Sequence, residues 1–396
     1  MASGFPVGRI LRQPTVILAR MNAQAQEYYP QLDSLRAVAV LMVIFSHFLA
    51  GGPWGDYGVR LFFVLSGFLI TSIILSHKEN MKVTGASVAV VARNFYIRRS
   101  LRLFPIYYLA LSIYLLLAIV SKKEMGGVVD DWVWHFSYLT NVLVFLRREW
   151  VGPLSPYWSL AVEEQFYIGW FWLVLLVPRS RLPAVIVLVI CAALSFRLAA
   201  IVNGINHYAD VLLPACMDTL AAGALLAVAT HACYQNDFAQ VRTWLQSNAG
   251  RLGWVVLLCW VLLVLSSFGL DKENLVRRLV TNSLSSIVFV YFVYRCYQGF
   301  GGAIGRLLST PQLIAVGRFS YGIYVYHMLV LLVYRQYLSR WIPGIAFSER
   351  SPVVQKAVDC LVLTLLTLAI AYWSWVYIEK PCLRIKNRYS EGLGST

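Results

Sequence analysis

Ten mainly apolar stretches recur along this chain, at residues 35–51, 58–76, 103–120, 160–177, 183–202, 211–230, 252–268, 279–297, 320–338 and 357–378. Each is close to the ~20 residues that a helix needs to cross the hydrocarbon core of a bilayer. Such runs leave little choice of fold. In lipid no water satisfies backbone N–H and C=O groups, so a spanning segment must bond them internally as a helix or close into a barrel. Continuous apolarity, without two-residue alternation, selects the helix. Soluble helices would need charged outer faces, yet only 13% of the 396 residues are charged and 59% are apolar, against a usual charged share of ~25%. The expected fold is all-α, a polytopic membrane helical bundle of about ten transmembrane helices. Residues 1–30 are expected as an N-terminal arm, 31–385 as a single membrane domain and 386–396 as a tail. No internal repeat of fixed period is present, which weighs against a transporter built from inverted halves.

The net charge of +15 comes from 34 basic and 19 acidic residues. With the N-terminus inside, 19 basic residues fall on inner segments, 10 on outer segments and 5 in or beside spans. Basic residues accumulate in cytoplasmic loops, so both termini are expected in the cytoplasm. No basic tract interleaved with aromatics of the nucleic-acid-binding kind is present, and no nucleic-acid partner is expected. The seven cysteines are odd in number and scattered (Cys191, Cys216, Cys233, Cys259, Cys296, Cys360, Cys382). They read as small apolar packing residues, not as disulfides or metal ligands. Residues 1–30 carry Arg9, Arg12 and Arg20 but no apolar core of a cleavable signal.

Ionisable groups inside a span are expensive and mark sites. The first span, LDSLRAVAVLMVIFSHF, holds Arg36 and His47 eleven positions apart. At ~3.6 residues per turn both side chains fall on nearly one face, offset by ~16 Å along the axis. Arg36 is expected near the cytoplasmic edge and His47 deep in the outer half. A guanidinium is permanently charged and suits phosphate or carboxylate, while a neutral imidazole can take a hydroxyl proton as a general base. Together they point to a phosphate-bearing donor entering from the cytoplasm, its reactive end reaching His47. A lone buried histidine is more often structural; the arginine on its face raises the functional reading.

VARNFYIRRSLRLFPIYY places Arg93, Arg98, Arg99 and Arg102 just before the third span, with Arg98 and Arg102 on one helical face. Two readings stay open: an anchor snorkelling to lipid headgroups, or a cradle for nucleotide phosphates. LSPYWSLAVEEQFYIGW begins a helix at Ser155-Pro156 and puts Glu163 and Glu164 near the outer membrane edge. Adjacent acids point to different helix faces, so at most one enters a given cleft. Glu163 is the candidate, to pair with His47 or to hold sugar hydroxyls.

Other signals are weaker. Ser66-Gly67 in FFVLSGFLIT reads as small-residue packing, and it lacks the preceding glycine of a nucleophile elbow. Asp218, in CMDTLAAG, calls for an arginine partner. Tyr324 and His327 share a face of SYGIYVYH, where aromatic core is the favoured reading, and IEKP at 378–381 reads as a helix stop.

The spaced Arg36–His47 pair, FFVLSGFLIT, RRSLRLFPIYY, WSLAVEEQFY, SYGIYVYH and IEKP occur in the order found in the acyltransferase-3 family of integral-membrane acyltransferases. The chain resembles that family over about residues 30–385. The resemblance implies acyl-CoA, acetyl-CoA first, as donor substrate and no metal. It implies transfer to a hydroxyl of a carbohydrate such as lipopolysaccharide O-antigen, exopolysaccharide, Nod factor or peptidoglycan, in a bacterial cytoplasmic (inner) membrane. The family's essential pair corresponds to Arg36 and His47, and its WS-x-x-VE glutamate to Glu163. Two positions depart from the pattern: Cys216 stands where many members have arginine, and Arg60 where many have aspartate. The chain resembles the single-module form, without a fused hydrolase-like domain after residue 385.

The expected activity is O-acyl transfer. Arg36 with Arg93, Arg98, Arg99 and Arg102 would hold the donor's phosphates, His47 would deprotonate the acceptor, and Glu163 would orient His47 or the acceptor. A transient acyl-histidine is a variant of the same chemistry. Rival readings are a flippase or transporter of a lipid-linked glycan, and a membrane scaffold without chemistry.

Overall fold

The structure, a computed structural model, describes residues 28–121, 127–234, 239–266, 274–338 and 352–388. Residues 1–27 and 389–396, and with them most of the expected arm and tail, lie outside the described residues, as do Lys122, Lys123 and Cys233's neighbours 235–238. Helix α1 (Pro30–Phe45) runs into a π-helical turn, Ser46–Ala50. Helices α2 (Trp54–Thr84) and α3 (Val88–Ser121) follow, then the short α4 (Trp132–Phe136) and α5 (Thr140–Arg147). Helices α6 (Tyr157–Leu176), α7 (Leu182–Val202), α8 (Leu213–Tyr234) and α9 (Ala239–Ser266) come next. A π turn, Val276–Thr281, leads into α10 (Asn282–Gln298). Then come α11 (Gly302–Leu308), α12 (Pro311–Arg318) and α13 (Ser320–Val333), which ends in the π turn Tyr334–Leu338. Last, α14 (Pro352–Ser374) passes through the π turn Trp375–Glu379 into α15 (Lys380–Arg388).

Among the described residues there is no strand, so the all-α expectation holds. Seven helices are long and apolar enough to cross a membrane, and the α12–α13 pair, bent by 71°, makes an eighth candidate. Helix α6 is as long as these, but the polar triplet Glu163-Glu164-Gln165 makes it less apolar. The outward faces of the bundle carry Leu188, Leu176 and Leu365 in exposed positions. In water such a surface would drive association; facing lipid it is the low-energy arrangement. IEKP does not stop a helix: the backbone continues through it, and Glu379 is buried.

Two glycines bring the central helices together. A Cβ on Gly67 would lie 1.9 Å from the Leu220 carbonyl oxygen of α8, and one on Gly223 2.1 Å from the Val64 carbonyl oxygen of α2. Helices in lipid gain from close backbone approach because no hydrophobic force separates their interface from the surrounding tails. The small-residue reading of Ser66-Gly67 is met by Gly67. Replacing Gly67 with Ala is expected to destabilise the protein by ~1–3 kcal/mol through overpacking. Gly169→Ala, at a position with open space beside it, is expected to be neutral or slightly stabilising. Thermal unfolding of the two variants in detergent checks this.

Candidate active site

A cleft of about 700 Å³ opens between α1, α2, α3, α6 and α13. Arg36 enters it from α1, and Arg99 and Arg102 enter from α3. These two are three positions apart and hence neighbours on one helix face. Glu163 and Tyr167 face them from α6, and Ser66 from α2. Arg36 donates to Asp33 Oδ1 at 2.9 Å, one turn back on its own helix. Glu163 accepts from the Ser66 hydroxyl at 2.7 Å and from the Tyr167 hydroxyl at 3.2 Å. Arg99 lies over the rings of Phe95 and Tyr167, at 5.8 and 6.0 Å from their centroids, a favourable placement for a desolvated guanidinium. Glu379, buried against α13, is a second carboxylate, with Glu163, within reach of the Arg102 field. Glu164 faces away from the cleft, in keeping with the rule that adjacent acids diverge. Gln165 beside it bonds Asn141 and the Tyr138 carbonyl.

His47 lies elsewhere. It belongs to the π turn that ends α1, and its ring opens into a second cavity lined by Tyr334, Gln355 and Asp359. Its Nδ1 is 2.9 Å from the Val43 carbonyl oxygen. That contact fixes the tautomer with the proton on Nδ1, since only a donor can bond a carbonyl, and leaves Nε2 as an acceptor. The His327 ring is 5.0 Å away between centroids. His327 repeats the arrangement: its Nδ1 is 2.5 Å from the Tyr324 carbonyl oxygen, and its buried Nε2 has no partner. Tyr324, whose ring is 5.5 Å from that of His327, lines the central cleft. Its hydroxyl donates to the Pro156 carbonyl at 3.0 Å and is 2.6 Å from the Ser159 hydroxyl. A chain of three rings, Tyr324–His327–His47, thus joins the central cleft to the second cavity.

The structure therefore brings Arg36, Arg99, Arg102 and Glu163 together and sets His47 apart from them. Arg36 and His47 open into different cavities, as their expected offset of ~16 Å along the axis allows, and the π turn begins one residue before His47. Glu163 meets Ser66, Tyr167 and the arginines, not His47. Arg93 is exposed and Arg98 half-buried, and neither lines the cleft; the pair that does is Arg99 and Arg102. Ser66, Tyr167, His327 and Glu379 were not singled out as site residues by sequence. A hydroxyl one residue before a packing glycine, and a histidine seven residues after the first residue of SYGIYVYH, were the available signals. Asp218 has its arginine: Arg197, fully buried, donates to it and also to the Arg278 carbonyl at 3.0 Å. The fourth long helix starts at Tyr157 with Pro156 as its N-cap, later than expected, and the Ser155 hydroxyl donates back to the Gly152 carbonyl at 2.7 Å and does not cap it. Among the described residues no three metal-ligating side chains come together.

Residues 29–376 match the family described as acyltransferase domain, the acyltransferase-3 family. The chain belongs to that family. It is an integral membrane protein and an acyltransferase. It is 29% identical over 391 residues to the Bacillus subtilis (strain 168) protein named "Putative peptidoglycan O-acetyltransferase YrhL", covering 91% of this chain and 56% of that one. It is 33% identical over 162 residues to peptidoglycan O-acetyltransferase OatA of Listeria monocytogenes, 39% of this chain and 25% of that protein. The chain spans about half the length, or less, of these curated relatives. No solved structure matches it.

For this acyltransferase the Arg197–Asp218 pair is a framework element beside the site. Asp218→Asn leaves a buried guanidinium without its counter-charge and is expected to destabilise by ~3–5 kcal/mol, read as a lowered unfolding midpoint in detergent.

Proposed function

We propose that this acyltransferase is an O-acetyltransferase of the bacterial cytoplasmic membrane, taking the acetyl group from cytoplasmic acetyl-CoA and passing it to a carbohydrate hydroxyl. The observation that carries the donor assignment is the convergence of Arg36, Arg99 and Arg102 on one cleft that holds a single carboxylate, Glu163. Such a cleft is cationic and walled by aromatic rings, and suits the phosphates of CoA. The names of the relatives support acetyl as the group and a glycan as the acceptor class.

On this reading the thioester end extends past Tyr324 towards the imidazoles. His47 Nε2 takes the proton of the acceptor hydroxyl as its oxygen attacks the thioester carbonyl. The new C–O bond forms, the C–S bond breaks, and the imidazolium returns the proton to the departing thiolate. The Val43 carbonyl holds the tautomer that this requires and stabilises the imidazolium. Glu163 does not act on His47 here; tethered by Ser66 and Tyr167, it spaces the three guanidinium groups and aligns them on the donor. Holding donor and acceptor in a dry bundle supplies much of the rate.

His47→Ala is expected to abolish acceptor-dependent thiol release from acetyl-CoA by the purified protein while leaving unfolding temperature unchanged. Retention of most activity sinks this role for His47. Arg99→Gln and Arg102→Gln are each expected to weaken acetyl-CoA binding about ten-fold, the worth of a charge-assisted contact. Arg93→Gln and Arg98→Gln are expected to leave it within about two-fold. Calorimetric titration of the four variants checks the assignment, and equal losses in all four would return the stretch to a lipid-anchoring role.

A further inference from the structure

A third cleft, of about 740 Å³, has Asp56 at the start of α2 on its rim, next to Gly55, where a Cβ would lie 4.0 Å from the His47 ring. Trp150 and Trp158 line it, with Arg60 of α2 and Asp210 of the 3-10 turn His207–Val211. Val59 and Phe63 line both this cleft and the central one, so the two share a wall. Its charges are not equivalent. Asp210 is held by Arg278 through two contacts of 3.0 Å, and Arg278 also donates to the Ile205 carbonyl at 2.9 Å. Asp218 behind the wall is held by Arg197. Arg60 has no such counterpart. Among the described residues its one polar contact is a long 3.4 Å bond to the Thr219 hydroxyl, which is already 2.8 Å from Ser286. Its Nε is buried without a partner, and no described carboxylate comes within ion-pairing distance. Asp56, exposed one turn earlier on α2, stands at the mouth.

We propose that this cleft is the acceptor site and that it takes an acidic saccharide, whose carboxylate pairs with Arg60 while its pyranose faces lie on Trp150 and Trp158. The inference rests on the acyl-transfer reading above. A half-buried guanidinium without a counter-ion costs free energy that an incoming anion removes, and its planar fork pairs with a carboxylate through two parallel bonds. Indole rings beside polar groups suit a sugar, which is apolar on its C–H face and polar at its rim. The paired Asp210–Arg278 and Asp218–Arg197 groups are neutral in sum and fix the loop and the wall, and Asp56 at the mouth is exposed and screened by solvent, so the half-buried Arg60 sets the sign of the ligand.

The test is calorimetric titration of the full chain in nanodiscs with a tetramer of glucuronic acid, a neutral glucose tetramer of equal length, and inorganic phosphate. The acidic tetramer is expected to bind about ten-fold more tightly than the neutral one, and Arg60→Gln to erase that difference. Trp158→Ala is expected to weaken both tetramers while Arg60→Gln weakens the acidic one alone. Equal binding of the two tetramers, or an acidic preference that survives Arg60→Gln, overturns the proposal. An Arg60-dependent response to phosphate as strong as that to the acidic tetramer also overturns it, by making the site one for a bare anion. Acetyl-CoA titrated into the same samples separates the two readings. Donor binding with no acidic preference defeats this proposal alone; acidic preference with no donor binding or consumption defeats acyl transfer and leaves the saccharide site standing. An unchanged unfolding temperature for Arg60→Gln ties its loss to recognition.

Discussion

Three guanidinium groups inside an apolar bundle set the terms for the rest of this molecule. A charge withdrawn from water must be paired, hydrogen-bonded or left open to a ligand. Arg36 takes Asp33 from its own helix, Arg99 takes two aromatic faces, and Arg102 looks towards Glu163 on one side and Glu379 on the other. These partners do not neutralise the cleft. The bundle tolerates the remaining positive charge because its helices are locked elsewhere by the Gly67–Gly223 crossing of α2 and α8 and by the buried Arg197–Asp218 pair. The polar triplet that lowers the apolarity of α6 and the arginines carried into the bundle by the 34-residue α3 are local departures from a good spanning helix. Each departure places a group on the cleft wall.

The spans were legible because apolarity is a local property: a run of about twenty apolar residues has one stable solution in lipid, whatever its neighbours do. The small-residue crossing and the arginine for Asp218 were legible for a similar reason, since each follows from what one residue cannot do alone. The partition of the site was not. Helical-wheel arithmetic put Arg98 with Arg102, and the cleft uses Arg99 with Arg102, because the face that α3 turns inward is decided by α6 and α13. The same arithmetic treated Arg36 and His47 as one pair, although ~16 Å along the axis separates them and each opens into its own cavity. Glu379 looked like a helix stop because Lys380-Pro381 follows it, yet the helix continues, because the π turn Trp375–Glu379 shifts the backbone bonding just ahead of Pro381.

The π turns deserve a common explanation. Ser46–Ala50 carries His47, Tyr334–Leu338 forms part of the same cavity's wall, Val276–Thr281 carries Arg278, and Trp375–Glu379 carries Glu379. A π turn inserts a residue into the helical period, so it rotates a side chain off the face its neighbours share and frees a carbonyl for other bonds. Each of the four turns carries an ionisable side chain, Arg335 being the one in Tyr334–Leu338. A straight α-helix through these positions would send them into lipid or into a packed seam. With the extra residue His47, Arg335 and Arg278 line cavities, and Glu379 is buried against α13.

The ring chain Tyr324–His327–His47 bears on how a thioester inside a membrane would avoid water. If the donor cleft opened directly on His47, any water reaching the imidazole would compete with the acceptor hydroxyl, and the base would promote hydrolysis as readily as transfer. Two cavities separated by one layer of rings answer this. In the proposed arrangement the donor waits on the Tyr324 side, anchored by its phosphates, while the acceptor held in the third cleft brings its hydroxyl round the start of α2, beside Gly55, to the side on which His47 is open. His327 is buried between them, with its Nε2 lone pair unused. As a neutral acceptor it offers no proton to a thioester and no charge to hold water, and it keeps the gap filled by an aromatic ring. A smaller residue there would open a continuous passage. The predicted consequence is specific: His327→Ala should raise acceptor-independent hydrolysis of acetyl-CoA relative to transfer, where a purely structural histidine would lower both together. Thiol release measured with and without acceptor distinguishes the two.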